Sequence, residues 1–347
     1  MSGPGAGWPD VVARAMGGRV LATNDELFAA ADNLINDGPA THNSLFSARG
    51  KVYDGWETRR RRGSDRHPDA ADWAVVRLGA PAVVHAVVVD TAHFTGNSPT
   101  HASIDAATVL GHPTTDEVLR ADWTPLLERS PLTLDAENVI AVDGTSRLVT
   151  HVRLQIHPDG GVARLRVHGE VVADPRLLGG RIDLAAAMHG GRITGCSNEF
   201  YSTPGHVIAP GRSAVMSDGW ETARRRDDGN DWLTLRLAAP GVVHDLVVDT
   251  SRFVGNSPGA AEVTDLTTGA TLLARTRLEP DTEHRFRVAD IGPVTDLRLD
   301  IFPDGGLSRL RVNGAVADEA HGALAARWLG LLPAAVAAGI DAAIFFD

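Results

Sequence analysis

The chain has 347 residues, with 44 acidic and 33 basic side chains and a single cysteine. Its formal net charge of −11 argues against a nucleic-acid-binding protein, because contacts with phosphates need a basic surface. One cysteine excludes an intrachain disulfide and a four-thiolate metal site, and it fits a reducing compartment. The length suits two domains of ordinary size.

The sequence carries no recognisable targeting or membrane signal. The first residues lack the basic segment and apolar stretch of a signal peptide. The most apolar run, residues 328–340, contains Pro333 and is shorter than the roughly 18 to 20 apolar residues of a membrane-spanning helix. We therefore predict a cytoplasmic protein that has no membrane partner.

Local patterns, taken in chain order, predict few helices and many strands. Asp10 can cap a short helix that ends at the glycine pair Gly17-Gly18. Residues 83–89 are mostly valine, a run too short for a typical helix and suited to a buried strand. The last segment, from Glu319, is rich in alanine and leucine and predicts a helical tail.

Residues 151–167 predict a hairpin. Polar and apolar side chains alternate over 151–157, turn residues follow at 158–161, and the alternation resumes over 163–167. One face would be the core side, with Leu154, Ile156, Leu165 and Val167. The other face would bring together Arg153, Arg164 and Arg166.

The chain is a tandem duplication. The string Asp54-Gly55-Trp56-Glu57-Thr58 returns as Asp218-Gly219-Trp220-Glu221-Thr222, and tryptophan is too rare for this to be chance. Other blocks repeat in the same order. We predict a mainly β fold of two tandem antiparallel sandwich modules, for which a jelly roll is one natural form, over residues 1–175 and 176–318, followed by the tail over 319–347.

Two clusters of polar residues could carry chemistry. Asp54 and Glu57 precede the arginine run Arg59–Arg62, a combination that suits acid–base work on an anion held by guanidinium groups. His93 and Asn97 follow the predicted buried strand, where a rigid element can hold side chains beside a cleft. The alternative is that neither cluster is functional. Trp56 would then lie in the core beside solvent-exposed arginines, and His93 and Asn97 would lie in a surface turn.

Signals for other chemistries are weak. The histidines are scattered without the close spacing of a zinc site, so metal dependence stays open. There is no Gly-x-Ser-x-Gly motif, and no pattern marks Cys196 as a catalytic thiol.

Together the repeated blocks resemble the allantoicase family over residues 9–314. The strings that carry the resemblance are NDELFAAADNLI, GKVYDGWETRRRR, VDTAHFTGNSP, HPDGGVARLRVHGE, CSNEFY, SDGWETARRR, NDWLTLRL and FPDGGLSRLRVNG. The resemblance implies two galactose-binding-like jelly rolls and hydrolysis of allantoate to ureidoglycolate and urea, without an organic cofactor. It also favours a homo-oligomer. The expected ligand is a small-molecule substrate, allantoate.

The resemblance also suggests roles for the polar residues. We expect Asp54, Glu57 and His93 to act as acid–base candidates, and Asn97 to bind the ureido groups. The expected anion-binding arginines are Arg59, Arg60, Arg61, Arg164 and Arg166. The second-repeat counterparts are Asp218, Glu221, Arg224, Arg225 and Asn256.

The second repeat departs from the family pattern in two places, at Ala223 and in the segment that contains Arg252 and Val254. Ala223 stands where the first repeat has Arg59, Arg252 stands at the position of His93, and related second repeats look like His and Lys where this chain has Arg252 and Val254. We therefore expect the first repeat to dominate activity. The competing interpretations are a non-catalytic binding protein, because fold does not fix function, and a scaffold that has lost activity.

Overall fold

The computed structural model describes residues 7–62, 70–142 and 146–340. These residues form two compact units. One contains the described residues up to Glu170 together with Leu331–Ile340, and the other is Val171–Gly330. The prediction of a mainly β chain with two tandem jelly-roll sandwich modules and a helical tail is confirmed.

Most of the first unit is antiparallel strand. The strands are β1 (Arg19–Thr23), β2 (Phe46–Ser47), β3 (Gly50–Lys51), β4 (Trp56–Glu57), β5 (Asp72–Asp90), β6 (His101–Ala107), β7 (Thr124–Pro131), β8 (Glu137–Ala141), β9 (Val149–His157), β10 (Gly161–Val162) and β11 (Arg164–Val171). The helix α1 (Thr115–Leu119) and the 3-10 helices Arg14–Met16 and Ala31–Ile35 lie between them.

The long strand β5 belongs to both layers of this sandwich. Its first part, Asp72–Arg77, pairs with β1 and β9 in the order β1-β5-β9-β6-β7. Its last part, Ala86–Asp90, pairs with β8, and β5 also pairs with β11. A register shift between Arg77 and Ala82 separates the two parts. The strand predicted at 83–89 is therefore one half of a longer element.

The predicted hairpin over 151–167 is wrong. β9 pairs with β5 and β6, whereas β11 pairs with β5, so the chain passes between layers through β10 instead of folding back on itself. The alternation of polar and apolar residues correctly predicted which side chains face the core, since Leu154, Ile156, Leu165 and Val167 are fully buried. It could not predict the strand partners, and the three arginines do not share a face. Arg153 binds Asp105 on β6, away from β11.

The short helix predicted between Asp10 and Gly17 is a single 3-10 turn, Arg14–Met16. The Asp10 carboxylate accepts hydrogen bonds from the backbone N–H of Val12 and of Val167. It therefore ties the start of the repeat to β11 and does not cap Arg14–Met16. Asp183 does the same in the second unit, with the N–H groups of Ala185 and Val312.

The second unit repeats this arrangement. Its strands are β12 (Ile182–Asp183), β13 (Arg192–Cys196), β14 (Trp220–Glu221), β15 (Asp231–Asp249), β16 (Ala260–Asp265), β17 (Thr271–Arg277), β18 (Glu283–Arg287), β19 (Pro293–Phe302), β20 (Gly306–Leu307) and β21 (Arg309–Val316). β15 takes the place of β5 and pairs with β13, β18, β19 and β21. The 3-10 helices are Pro175–Leu177, Ala187–His189, Pro204–Ile208 and Met216–Asp218.

The described part of the tail forms α2 (Asp318–Leu331) and α3 (Ala334–Ala337), as the sequence predicted. The remainder of the predicted tail, residues 341–347, lies outside the described residues. Trp328 on α2 is fully buried. None of the helices described is long and apolar enough to cross a membrane.

Candidate active site

Glu57 is held by its backbone on both sides. On one side the Glu57 N–H donates to the Ala29 carbonyl at 3.1 Å, and the Ala29 N–H donates back at 3.2 Å. On the other side β4 pairs with β10, so that Glu57 lies opposite Gly161. The neighbouring Trp56 is fully buried and its indole N–H donates to the Asp25 carbonyl at 2.7 Å. Strand alternation then turns Glu57 away from the core, where its side chain is only partly buried.

Asn97 completes the environment of Glu57. Its Nδ2 donates to Glu57 Oε1 at 2.7 Å, and its backbone carbonyl accepts from the Gly161 N–H at 2.8 Å. The loop after β5 is thereby fixed to the strand that pairs with Glu57. Burial raises the pKa of Glu57 above its ordinary value, and the hydrogen bond from Asn97 offsets part of that rise.

Gly161 must be glycine for this arrangement to form. A Cβ at this position would lie 2.0 Å from ring atoms of Phe94, whose side chain is fully buried. The Phe94 ring therefore packs directly against the β10 backbone, between the Asn97 loop and β4. Phe253 and Gly306 repeat the contact in the second unit, also at 2.0 Å.

Asp54 is engaged by an ion pair. Arg164 Nη2 donates to its Oδ2 at 2.8 Å, and the Thr41 N–H and hydroxyl donate to the same oxygen at 2.8 and 3.0 Å. Burial alone would raise the pKa of Asp54, but the hydrogen bonds from Arg164 and Thr41 hold it below its ordinary value. A carboxylate bonded in this way stays charged and is a poor proton donor.

Arg164 and Arg166 bind the protein itself. The buried Arg164 guanidinium also donates to the carbonyls of Asp54 and Ala163, at 3.1 and 2.8 Å. Arg166 donates to the Gly38 carbonyl at 2.6 Å and lies 3.4 Å from Asp10. The two arginines thus attach the segment around residues 38–54 to β11.

Two of the four residues in the arginine run form ion pairs. Arg59 forms an ion pair with Asp25, and Arg61 forms one with Asp72. Arg60 is exposed and has no hydrogen-bond or ion-pair partner within the described ranges. Of the arginines in Arg59–Arg61, Arg60 is therefore the one whose guanidinium is open to a ligand.

His93 has a left-handed backbone, with φ of 70°, and its N–H donates to Asp135 Oδ1 at 2.6 Å. Its ring Nε2 lies 3.2 Å from the Ala40 carbonyl, and the His42 ring meets it edge-on at 5.6 Å. Within the described residues it makes no hydrogen bond with Glu57 or Asp54. The structure thus brings Glu57 and Asn97 together and places His93 in a different set of contacts.

The second unit contains the same pair of residues. Asn256 Nδ2 donates to Glu221 Oε1 at 2.6 Å, and the Asn256 carbonyl accepts from the Gly306 N–H at 2.9 Å. Asp218 accepts from the N–H groups of Ala214 and Val215. Arg225 forms ion pairs with Asp227 and Asp231, both at 2.9 Å.

The family comparison agrees with this duplicated geometry. Residues 9–172 and 182–317 match the family model described as "Allantoicase repeat". The chain belongs to the allantoicase family.

Allantoicase relatives span nearly the whole chain. A probable allantoicase from Nocardia farcinica is 51% identical, covering 88% of this chain and 94% of its own length. An allantoicase from Dictyostelium discoideum is 38% identical, with 89% and 88% covered. The crystal structure of allantoicase from Saccharomyces cerevisiae superposes with a TM-score of 0.78 at 32% identity, covering 88% of this chain and 92% of that one.

Asp25 supports the candidate site in this allantoicase family member, and sequence reasoning missed it. Its carboxylate pairs with Arg59 and accepts the Arg59 N–H at 3.0 Å, and its carbonyl accepts the indole N–H of Trp56. In the second repeat Asn198 replaces it, and its Oδ1 accepts the Ala223 N–H at 3.0 Å. In the sequence, Asp25 corresponds to Asn198 and Arg59 to Ala223, so both charges of this ion pair are absent from the second repeat. That joint loss is the signal that could have identified Asp25.

The remaining candidate groups give no further site. Cys196 on β13 is partly buried, and burial raises the pKa of its thiol, which disfavours the thiolate. Among the residues described, no cluster of three or more His, Cys, Asp or Glu side chains could hold a metal ion.

Proposed function

We propose that this protein is an allantoicase, a hydrolase that converts allantoate and water to ureidoglycolate and urea. The observation that carries the proposal is Glu57, a partly buried carboxyl group with a raised pKa, held by Asn97 and followed by the unpaired Arg60. Its setting in a chain of two allantoicase repeats supports the same reaction.

The reaction needs one group that gives and then takes a proton. Allantoate carries a carboxylate and two ureido groups on one carbon. In the proposed route, protonated Glu57 gives its proton to the nitrogen of the departing ureido group while the carbon–nitrogen bond breaks. The lone pair of the retained nitrogen forms a double bond to the carbon, and urea leaves. Water then adds to that carbon and returns a proton to Glu57, which gives ureidoglycolate.

The raised pKa suits this role. A carboxyl group at its ordinary pKa would be almost fully ionised near neutral pH, so it would rarely hold the proton that urea release requires. General acid–base catalysis of this kind contributes on the order of 10²–10⁴-fold in rate.

Arg60 is the proposed partner of the substrate carboxylate. A guanidinium binds a carboxylate through two parallel hydrogen bonds. Three residues of extended chain span at most about 10 Å, so the backbones of Glu57 and Arg60 are close enough for both residues to contact one small molecule. We assign Asp54, Arg59, Arg61, Arg164 and Arg166 to the frame that positions this segment, because each is bound to another protein group.

His93 is left out of proton transfer in this proposal. Its ring contacts the Ala40 carbonyl and the His42 ring, and Arg252 replaces it in the second repeat. The homo-oligomer and the cytoplasmic location stay predictions from the sequence.

The function is tested by incubating the purified protein with allantoate and measuring urea. We expect steady urea release, equal in the Cys196→Ser variant, because the thiol lies outside the acid–base pair and the route has no covalent nucleophile. Saturable binding of allantoate without urea would identify a binding protein or inactive scaffold instead. Loss of activity in Cys196→Ser, with an unchanged melting temperature, would contradict the mechanism.

Arginine-to-lysine exchanges should separate the binding arginine from the structural one. Lysine keeps the charge but not the planar pair of donors. We expect the double variant Arg60→Lys/Arg224→Lys to raise KM roughly tenfold, since a hydrogen bond to a charged group contributes about 1.5 kcal/mol. The matched control Arg61→Lys/Arg225→Lys should lower the melting temperature and leave KM near the parent value, because Arg61 and Arg225 bind Asp72 and Asp231. An unchanged KM in Arg60→Lys/Arg224→Lys would remove this position from the site.

A further inference from the structure

We propose that the second unit carries a catalytic site of its own, built on Glu221, Asn256 and Arg224, so that one chain has two active sites of the same kind. This inference rests on the proposed function, since it assigns to Glu221 the proton transfer assigned above to Glu57. It departs from the expectation, drawn from the sequence, that the first repeat dominates activity.

The acid–base pair has the same geometry in both units. The amide-to-carboxylate distance is 2.6 Å for Asn256–Glu221 and 2.7 Å for Asn97–Glu57. The backbone setting is also the same. β14 pairs with β20 so that Glu221 lies opposite Gly306, and the Glu221 carbonyl accepts from the Tyr201 N–H at 3.2 Å.

The differences between the repeats lie outside this pair. Arg59 forms an ion pair with Asp25 in the first unit and, among the described residues, makes no hydrogen bond or ion pair with Glu57. Its replacement by Ala223 therefore removes an ion pair with Asp25. Asn198 replaces Asp25 and keeps the backbone hydrogen bond, at 3.0 Å in both units. The replacement of Arg59 by Ala223 therefore removes an ion pair that supports the first site and leaves the hydrogen bond between Asn256 and Glu221 in place.

The exchange of His93 for Arg252 is also accommodated. Arg252 keeps the left-handed backbone, with φ of 74°, and its N–H donates to Asp281 Oδ1 at 2.7 Å, as His93 donates to Asp135. The side chain is exposed, and its Nε donates to the Ser213 carbonyl at 3.4 Å. The loop that carries Asn256 thus keeps its shape.

The anion-binding arginine is present as well. Arg224 is exposed and, in the part of the chain that is described, has no hydrogen-bond or ion-pair partner, like Arg60. The next residue, Arg225, is paired with Asp231, as Arg61 is with Asp72. Each unit therefore repeats the order of one unpaired arginine followed by one paired arginine.

The two glutamates differ from the structural carboxylates around them. Asp54, Asp72 and Asp231 are each paired with an arginine, which compensates the cost of burying a charge. Glu57 and Glu221 are partly buried, and each side chain is bonded only by an amide among the described residues. A partly buried carboxylate without a cation is costly for stability alone, and this cost is typical of a residue kept for chemistry.

The test compares Glu57→Gln, Glu221→Gln and the double variant by their rates of urea release. If the sites are independent, each single variant retains part of the activity, the two retained fractions add up to about the parent rate, and the double variant falls by on the order of 10²–10⁴-fold. The inference is overturned if Glu221→Gln keeps the full rate while Glu57→Gln abolishes it, or if either single change abolishes activity, provided that melting temperatures are unchanged. A double variant at the parent rate would instead show that the catalytic assignment of both glutamates is wrong.

Counting bound substrate gives a second measurement that does not depend on rates. The double variant should bind two allantoate molecules per chain in equilibrium dialysis, and adding Arg224→Ala should reduce this to about one. One molecule per chain before Arg224→Ala is added would overturn the inference, even if the activities of the single variants are ambiguous.

Discussion

Replacing Arg164 with methionine is expected to lower the free energy of unfolding of the first unit by about 3–5 kcal/mol, the usual cost of removing one partner from a buried ion pair. Arg164 is 3% exposed, and its loss leaves the Asp54 carboxylate without its cation. Several backbone carbonyls that accept from the same guanidinium also lose their donor. Urea unfolding followed by tryptophan fluorescence measures the change.

Arg309→Met is the matched control for this prediction. Arg309 occupies the same position in the second unit and donates to the carbonyls of Gly211, Asp218 and Ser308, but it makes no ion pair within the described residues. We expect a smaller loss than for Arg164→Met, because no carboxylate is left unpaired. Adding Asp54→Asn to Arg164→Met should recover part of the stability. Equal losses in the two single variants would show that the Asp54 ion pair contributes little.

Replacing Asn97 with leucine is expected to lower kcat/KM by about 10–10²-fold and to move its pH dependence to higher pH. The loss follows from removing the hydrogen bond that orients the Glu57 carboxyl group, because misplacing a catalytic group by about 1 Å can lower the rate by about 10²-fold. The shift follows from the pKa of Glu57, which burial raises and Asn97 lowers in part. Without the amide, the pKa rises further.

The direction of the pH effect depends on which form of Glu57 is active. The proposed route starts from protonated Glu57, so activity falls as pH rises through its pKa. A higher pKa therefore extends activity to higher pH. The measurement is the pH profile of kcat/KM for the double variant Asn97→Leu/Glu221→Gln compared with that of the single variant Glu221→Gln. The Glu221→Gln change inactivates the second site, so both profiles report the first site alone. A profile that moves to lower pH would mean that the ionised carboxylate is the active form.

The sequence predicted this architecture largely because the chain contains two copies of it. The repeated strings established the modules, and alternation identified Leu154, Ile156, Leu165 and Val167 as core. Strand partners could not be derived in the same way, because an alternating pattern specifies which face is buried and not which neighbour supplies the hydrogen bonds. The hairpin over 151–167 failed for this reason.

The candidate site was predictable in part. Glu57 and Asn97 were both chosen, but their contact joins residues 40 positions apart through the pairing of β4 with β10. The sequence also treated the arginines of 59–61 as one group. Which of them is open to a ligand depends on where Asp25 and Asp72 lie after folding, and only the structure supplies that information.

The strand β5 also constrains how the first unit can come apart. Because one continuous strand supplies hydrogen bonds to both layers, pulling β9 or β11 away strains the same backbone. Neither layer can melt and leave the other as an intact sheet. Each unit should therefore unfold as one cooperative unit. A destabilising substitution far from Glu57, for example in β1, would then also destabilise the Asn97 loop, because that loop follows the end of β5.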